Sequence, residues 1–140
     1  MEFLGICHES HMTIMTLGVT LITYGVTVIA HARIFCSNNG YKYEGEWENS
    51  TMNGYGIIYL PNGKRYEGEW KDGKKEGLGV YYFSTGKVNE GEWKNDCVSG
   101  YGIFYLPNGV RHEGKWKDYE LDGYEKYYLP NGIEFENNYK

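Results

Sequence analysis

The sequence predicts an all-β repeat array, an elongated single-layer ribbon of antiparallel hairpins, preceded by one apolar amino-terminal α-helix. Three observations carry that expectation. Trp47, Trp70, Trp93 and Trp116 stand 23 residues apart with no insertion or deletion. Gly54, Gly77, Gly100 and Gly123 keep the same interval, as do Gly63, Gly86, Gly109 and Gly132. Ahead of them, Thr13 to Ala30 is 18 residues without a charge. A fixed period of roughly 20–50 residues marks stacked units that bury their apolar faces against one another.

Each element of the unit follows from parity and turn chemistry. In Tyr66-Glu67-Gly68-Glu69-Trp70-Lys71, Tyr66, Gly68 and Trp70 share one parity while Glu67, Glu69 and Lys71 share the other. Period two gives a strand with one aromatic and one charged face. Asp72-Gly73 is a turn signal, and Gly77-Leu78-Gly79-Val80-Tyr81-Tyr82-Phe83 reads as a second strand. Between units stands Leu60-Pro61-Asn62-Gly63, repeated at 106–109 and 129–132, a loop closed by a left-handed glycine. In the second unit the loop is Ser84-Thr85-Gly86, so the backbone needs the glycine more than the proline. Gly45, Gly68, Gly91 and Gly114 lie inside strands, where a missing side chain leaves room for a neighbouring ring.

Tyr66-Glu67-Gly68-Glu69-Trp70-Lys71-Asp72-Gly73 followed by Gly77-Leu78-Gly79 resembles the MORN (membrane occupation and recognition nexus) repeat, in four copies over residues 43–134. The resemblance implies a twisted antiparallel array. It also implies a scaffold or membrane-proximal adaptor rather than any one activity.

The array has atypical ends, as repeat arrays do. The fourth copy carries Glu125 where a strand glycine is expected, and Phe135-Glu136-Asn137-Asn138-Tyr139-Lys140 reads as a degenerate capping strand. Residues 33–42 align with the second half of a unit and form an entry half-repeat. The expected divisions are therefore a tail at 1–12, an apolar helix at 13–32, the half-repeat at 33–42, four repeats at 43–134 and a cap at 135–140.

The helix expectation rests on Thr13, Thr16, Thr20, Thr23 and Thr27, whose three-four spacing forms one seam on a helix. Such a seam suits helix association in lipid. Three readings compete: a membrane anchor, a cleaved signal peptide ending at Ala30-His31-Ala32, and an apolar helix packed on a soluble ribbon. For an anchor, Arg33 and Lys42 on the carboxyl side place the array in the cytoplasm, single-pass. The other two readings give a secreted or a soluble cytoplasmic protein.

Composition bounds the function. The chain has 140 residues, 17 % of them aromatic, and a net charge of −5. Residues 41–140 hold 13 Lys/Arg against 17 Asp/Glu, so nucleic acid is excluded as a partner and bulk attraction to anionic lipid is absent. Three cysteines give no disulfide framework. Cys7, His8 and His11 stand about 27 Å from His31 and Cys36 if a helix intervenes, so no metal site is expected. The recurring Glu44, Glu67, Glu90 and Glu113 read as a solvated strand face beside lysines. No catalytic constellation, cofactor motif or phosphate loop is present.

What remains is surface. Tyr43, Trp47, Tyr66, Trp70, Trp93 and Trp116 are the expected repeat core. Tyr59, Tyr82, Tyr105 and Tyr128 of the second strands are the candidate interaction row, because tyrosine tolerates one wet end. The expected function is a non-catalytic, membrane-tethered scaffold for protein partners. A membrane, and a second copy joined through the helix seam or the aromatic face, are further candidate contacts. The alternatives are a phospholipid-contacting module that bridges membranes, a regulatory remnant of a lipid kinase or methyltransferase, and a secreted repeat protein.

Overall fold

The computed structural model describes residues 14–23 and 26–138, with side chains from Arg33 onward. Those residues form one open antiparallel sheet of eleven strands in sequential order. The strands are β1 (Ile14–Thr23), β2 (Val26–Cys36), β3 (Lys42–Glu48), β4 (Thr51–Tyr59), β5 (Arg65–Lys71), β6 (Lys74–Tyr82), β7 (Val88–Lys94), β8 (Cys97–Tyr105), β9 (Arg111–Lys117), β10 (Glu120–Tyr128) and β11 (Glu134–Asn138). Every strand pairs with its chain neighbours alone, so the fold is a continuous meander.

Two kinds of turn alternate along it. The tight ones have two central residues, both at positive φ: Asn49 and Ser50 at 49° and 61°, Asp72 and Gly73 at 50° and 77°, Asn95 and Asp96 at 49° and 69°, Asp118 and Tyr119 at 50° and 69°. This is the type I′ geometry, whose twist matches that of the flanking strands. Tyr119 is an aromatic residue held in the left-handed region, and its hydroxyl donates to Asp96 O at 2.6 Å. The longer turns follow the expected loop. Gly109 N donates to Leu106 O and Gly132 N to Leu129 O, each at 3.0 Å, with both glycines at φ 83°. Without a proline, Gly86 keeps φ 85° and donates to Phe83 O at 3.0 Å.

Rings hold one face together. Tyr43 lies edge-on to Trp47 and Trp70 at centroid distances of 5.2 and 5.5 Å, and Tyr66 does the same with Trp70 and Trp93, at 5.2 Å each. Each tyrosine thus bridges the tryptophan of its own unit and that of the next. Trp70 Nε1 donates to Gly56 O and Trp93 Nε1 to Gly79 O, both at 3.1 Å, tying each unit to the one before. Tyr43, Tyr66, Trp70 and Trp93 are at most 5 % exposed, whereas Trp47 and Trp116 pack against this cluster half-buried.

The glycines make that packing possible. Gly68 pairs with Gly79 across β5 and β6, and the Tyr66 ring lies over the pair. A Cβ on Gly79 would sit 2.6 Å from the ring carbons, closer than real Cβ contacts come. A second glycine set forms bulges: the register slips between Gly45 and Trp47, Gly68 and Trp70, and Gly91 and Trp93. Opposite each slip stand Gly54, Gly77 and Gly100, at φ 79°, 67° and 110°.

The apolar amino-terminal segment departs from expectation. Where a helix over 13–32 was expected, the described residues form β1 and β2, paired from Ile14↔Phe35 to Thr23↔Val26. No α-helix occurs among the described residues, and none there is long and apolar enough to cross a membrane. The physical reason lies in the residue types. Ile14, Thr16, Val19, Thr20, Ile22, Thr23, Val26, Thr27, Val28 and Ile29 are β-branched, stiff at χ1 and suited to a pleated sheet. The threonine seam dissolves accordingly: Thr16 pairs with Arg33, Thr20 with Ile29, Thr23 with Val26 and Thr27 with Ile22, while Thr13 lies outside the described residues. Cys36 is disulfide-bonded and Cys97 is free.

Candidate interaction surface

The face opposite the tryptophans is the open one. Cross-strand partners share a face, so Arg65↔Tyr59, Glu67↔Ile57 and Glu69↔Tyr55 fix what it carries. At the centre of each unit the pattern Gly54-Tyr55-Gly56 recurs as Gly77-Leu78-Gly79 and Gly100-Tyr101-Gly102. Tyr55, Leu78, Tyr101 and Tyr124 are 52, 63, 45 and 42 % exposed, one per unit, spaced by the same 23 residues. Between the first three runs a groove of about 460 Å³ lined by Tyr55, Leu78, Val80, Tyr101 and Ile103, with Glu67, Glu90 and Glu92 along it. The reading of the sequence did not single this row out. Its signal was an apolar residue flanked by glycines, a large side chain with no neighbour to cover it.

The expected row, Tyr59, Tyr82, Tyr105 and Tyr128, lies on the same face but is mostly engaged. Lys42 sits over Tyr59 at 5.3 Å, Arg65 over Tyr82 at 4.1 Å and Arg111 over Tyr128 at 4.1 Å. The same cations pair along their own strand with the acids of the charged column. Lys42 lies against Glu44, Arg65 is 3.6 Å from Glu67, and Arg111 is 3.1 Å from Glu113. Tyr128 further donates to Glu113 Oε1 at 2.7 Å, and Tyr55 to Glu67 Oε1 at 2.8 Å. The third unit breaks this pattern, because Val88 stands where the cation should be. Tyr105 is left uncapped at 36 % exposure, and Glu90 forms no ion pair among the described residues.

Electrostatics agree with this placement. Burial raises the Glu113 carboxyl, but the hydroxyls of Tyr128 and Tyr101 and the Arg111 guanidinium outweigh it and hold its pKa below the ordinary value. Tyr101 is pushed up to about 12, first by burial and then by its bond to Glu113. On the ring face, burial raises the hydroxyls of Tyr43 and Tyr66 well above the ordinary range, and they donate to Glu46 O and Glu69 O at 3.1 Å.

The second acid of each unit has a role the sequence did not reveal. The Glu46 carboxylate accepts from Tyr55 N at 2.6 Å and covers the Gly54 bulge, where any Cβ would overlap it. Glu69 covers Gly77 and Glu92 covers Gly100 in the same way. The fourth unit has Lys115 instead, and the space beside Gly123 is open. Among the described residues no group of three His, Cys, Asp or Glu could hold a metal ion. Cys7, His8 and His11 lie outside them.

The family model described as MORN repeat matches residues 43–65, 66–88 and 90–111. No curated protein matches the sequence. Among solved structures the chain is similar to "SAS-4 (dCPAP) TCP domain in complex with a Proline Rich Motif of Ana2 (dSTIL) of Drosophila Melanogaster", at 14 % identity and a TM-score of 0.45, covering 89 % of this chain and 90 % of that one.

Proposed function

Residues 43–111 are consecutive MORN repeats, and on that premise we propose that the chain is a non-catalytic interaction scaffold whose open face receives a partner polypeptide. The observation that carries this reading is the exposed row Tyr55, Leu78, Tyr101 and Tyr124 beside a groove with acidic walls. A single-layer sheet buries one face on itself through its rings and leaves the other for a partner. Charge selects the kind of partner. Glu90 has no ion-pair partner among the described residues, and Glu67 and Glu92 stand beside it in the groove. The fitting occupant is a basic segment with apolar side chains that seat between the tyrosines. The same charge disfavours an anionic lipid headgroup at this face.

Panning a random-peptide library against the full-length chain tests this reading. The expected outcome is enrichment of peptides that combine Lys or Arg with apolar residues, whose binding falls at least about tenfold in Leu78→Glu and in Glu90→Lys. No enrichment, or peptides indifferent to both substitutions, would refute it.

A further inference from the structure

Three of the four units build the same small arrangement on the open face. A cation at the start of the first strand lies over the tyrosine directly across the hairpin and reaches the next glutamate along its own strand. Lys42 does this with Tyr59 and Glu44, Arg65 with Tyr82 and Glu67, and Arg111 with Tyr128 and Glu113. Both guanidinium groups stand 4.1 Å from their rings, with a nitrogen 3.6 Å from Glu67 and 3.1 Å from Glu113. The register behind it is constant: Lys42↔Tyr59, Arg65↔Tyr82 and Arg111↔Tyr128 are direct cross-strand partners. The third unit keeps that register, with Val88↔Tyr105 and Glu90↔Ile103. It keeps the tyrosine and the glutamate and carries a valine in place of the cation.

A second substitution in the same place strips Glu90 further. Leu78 stands where the neighbouring units have Tyr55 and Tyr101. Those tyrosines hydrogen-bond to Glu67 and Glu113, and a leucine has no hydroxyl to offer Glu90. Glu90 accordingly makes no ion pair or side-chain hydrogen bond among the described residues. Its carboxylate and the Tyr105 ring are both open to solvent on one face. Arg111 flanks Tyr105 from β9, but its guanidinium is held by Tyr128 and Glu113. Because the register is shared, Glu90 and Tyr105 stand to each other as Glu67 stands to Tyr82 and Glu113 to Tyr128, pairs that one guanidinium spans.

We propose that the third unit takes an arginine side chain from the partner polypeptide, an inference that rests on reading the open face as the partner's docking surface. The guanidinium lies over Val88, stacks on the Tyr105 ring and pairs with Glu90. It thereby completes what Arg65 and Arg111 complete within their own units. Arginine fits better than lysine because a planar fork covers a ring and meets a carboxylate at once. The ammonium of Lys42, by comparison, stands 5.3 Å from its ring. The arginine also sets the partner's register. Glu90 lines the same groove as Leu78 and Tyr101, so apolar residues beside that arginine seat against those two.

Two measurements on the full-length chain test this. The first supplies the arginine from within. Val88→Arg is expected to raise Tm by about 2 °C, and the same substitution in a Glu90→Gln background is expected to give no gain. No gain in the native background, or an equal gain without the carboxylate, would overturn the proposal. The second uses a random-peptide library as the probe. Enriched peptides are expected to share an arginine whose replacement by citrulline, which keeps the shape and loses the charge, weakens binding at least about tenfold. Lysine at that place is expected to weaken it about threefold. Against Val88→Arg, arginine and citrulline peptides are expected to bind alike. Enriched peptides indifferent to citrulline would refute the arginine site and leave the groove standing as a docking surface. A library that yields no binder would refute both.

Discussion

Tyr66 and Asn89 stand at equivalent places in adjacent units, and the sheet differs on either side of them. Up to Trp93 the rings alternate Tyr and Trp, edge to face, each tyrosine hydroxyl reaching a glutamate carbonyl. Beyond Asn89 the ladder runs by different contacts. Phe104 packs on Trp116 at 4.6 Å, His112 stacks on Tyr127 at 4.5 Å, and Tyr127 on Phe135 at 4.8 Å. His112 replaces a second tyrosine there, and the fully buried Glu125 replaces the glycine beneath it. A ring needs a glycine under it, and a position that gives up the ring is free to carry a polar side chain. The backbone repeat survives both arrangements because its turns and bulges depend on glycine, Asn and Asp, not on the rings.

The largest effect that separates the two regions is expected at the paired glycines. Gly79→Ala drives a methyl group into the Tyr66 ring and is expected to cost about 3 kcal/mol in urea unfolding. Gly102→Ala, whose Cβ would meet Trp116 Cδ1 at 3.2 Å, is expected to cost about 1 kcal/mol. Equal losses would mean that the ring does not rest on the glycine pair.

A smaller contrast lies at the bulges. Gly77→Ala and Gly123→Ala share the cost of a left-handed backbone, at φ 67° and 98°. Only Gly77 is roofed by a glutamate, so its substitution is expected to cost about 1 kcal/mol more. Thermal unfolding of the two variants measures the difference. Lys115→Glu in the Gly123→Ala background is expected to enlarge the deficit at Gly123.

The smallest effect is a pH dependence confined to the second region. Burial lowers the pKa of His112 below 6.5, outweighing the opposing pull of Glu125. Between 6.5 and that lower value the unfolded chain binds more protons than the folded one. Stability that is complete above pH 6.5 is therefore lost as pH falls through the folded value. His112→Phe is expected to flatten this slope in unfolding curves taken from pH 7.5 to about 5. A slope of opposite sign in the native chain would show Glu125 to dominate.

Much of this was legible in the sequence, for physical reasons. Parity fixed the strands of the repeats, and φ-permissive residues fixed their turns, because both are local properties. The segment 13–32 misled because an apolar run carries no decisive period, and a threonine spacing of three and four fits a helix as well as chance. Its β-branched residues were the better guide. Glu69 was legible only as part of a charged strand face, and nothing local marks Glu46 or Glu92, since covering a bulge across the strand pair is a non-local role. Asn89 was visible as a break in the 23-residue beat, but the space it leaves appears only once Trp93, Phe104 and Trp116 are in place.

The central claim is that Tyr66 bridges its two tryptophans while Asn89 leaves the next pair unbridged. Equilibrium urea unfolding of Tyr66→Asn and Asn89→Tyr tests it most directly. Two edge-on ring contacts and a buried hydroxyl bond are lost in the first, so a loss of about 3 kcal/mol is expected, and a gain of about 1 kcal/mol is expected in the second. Losses of similar size in both variants would contradict the claim.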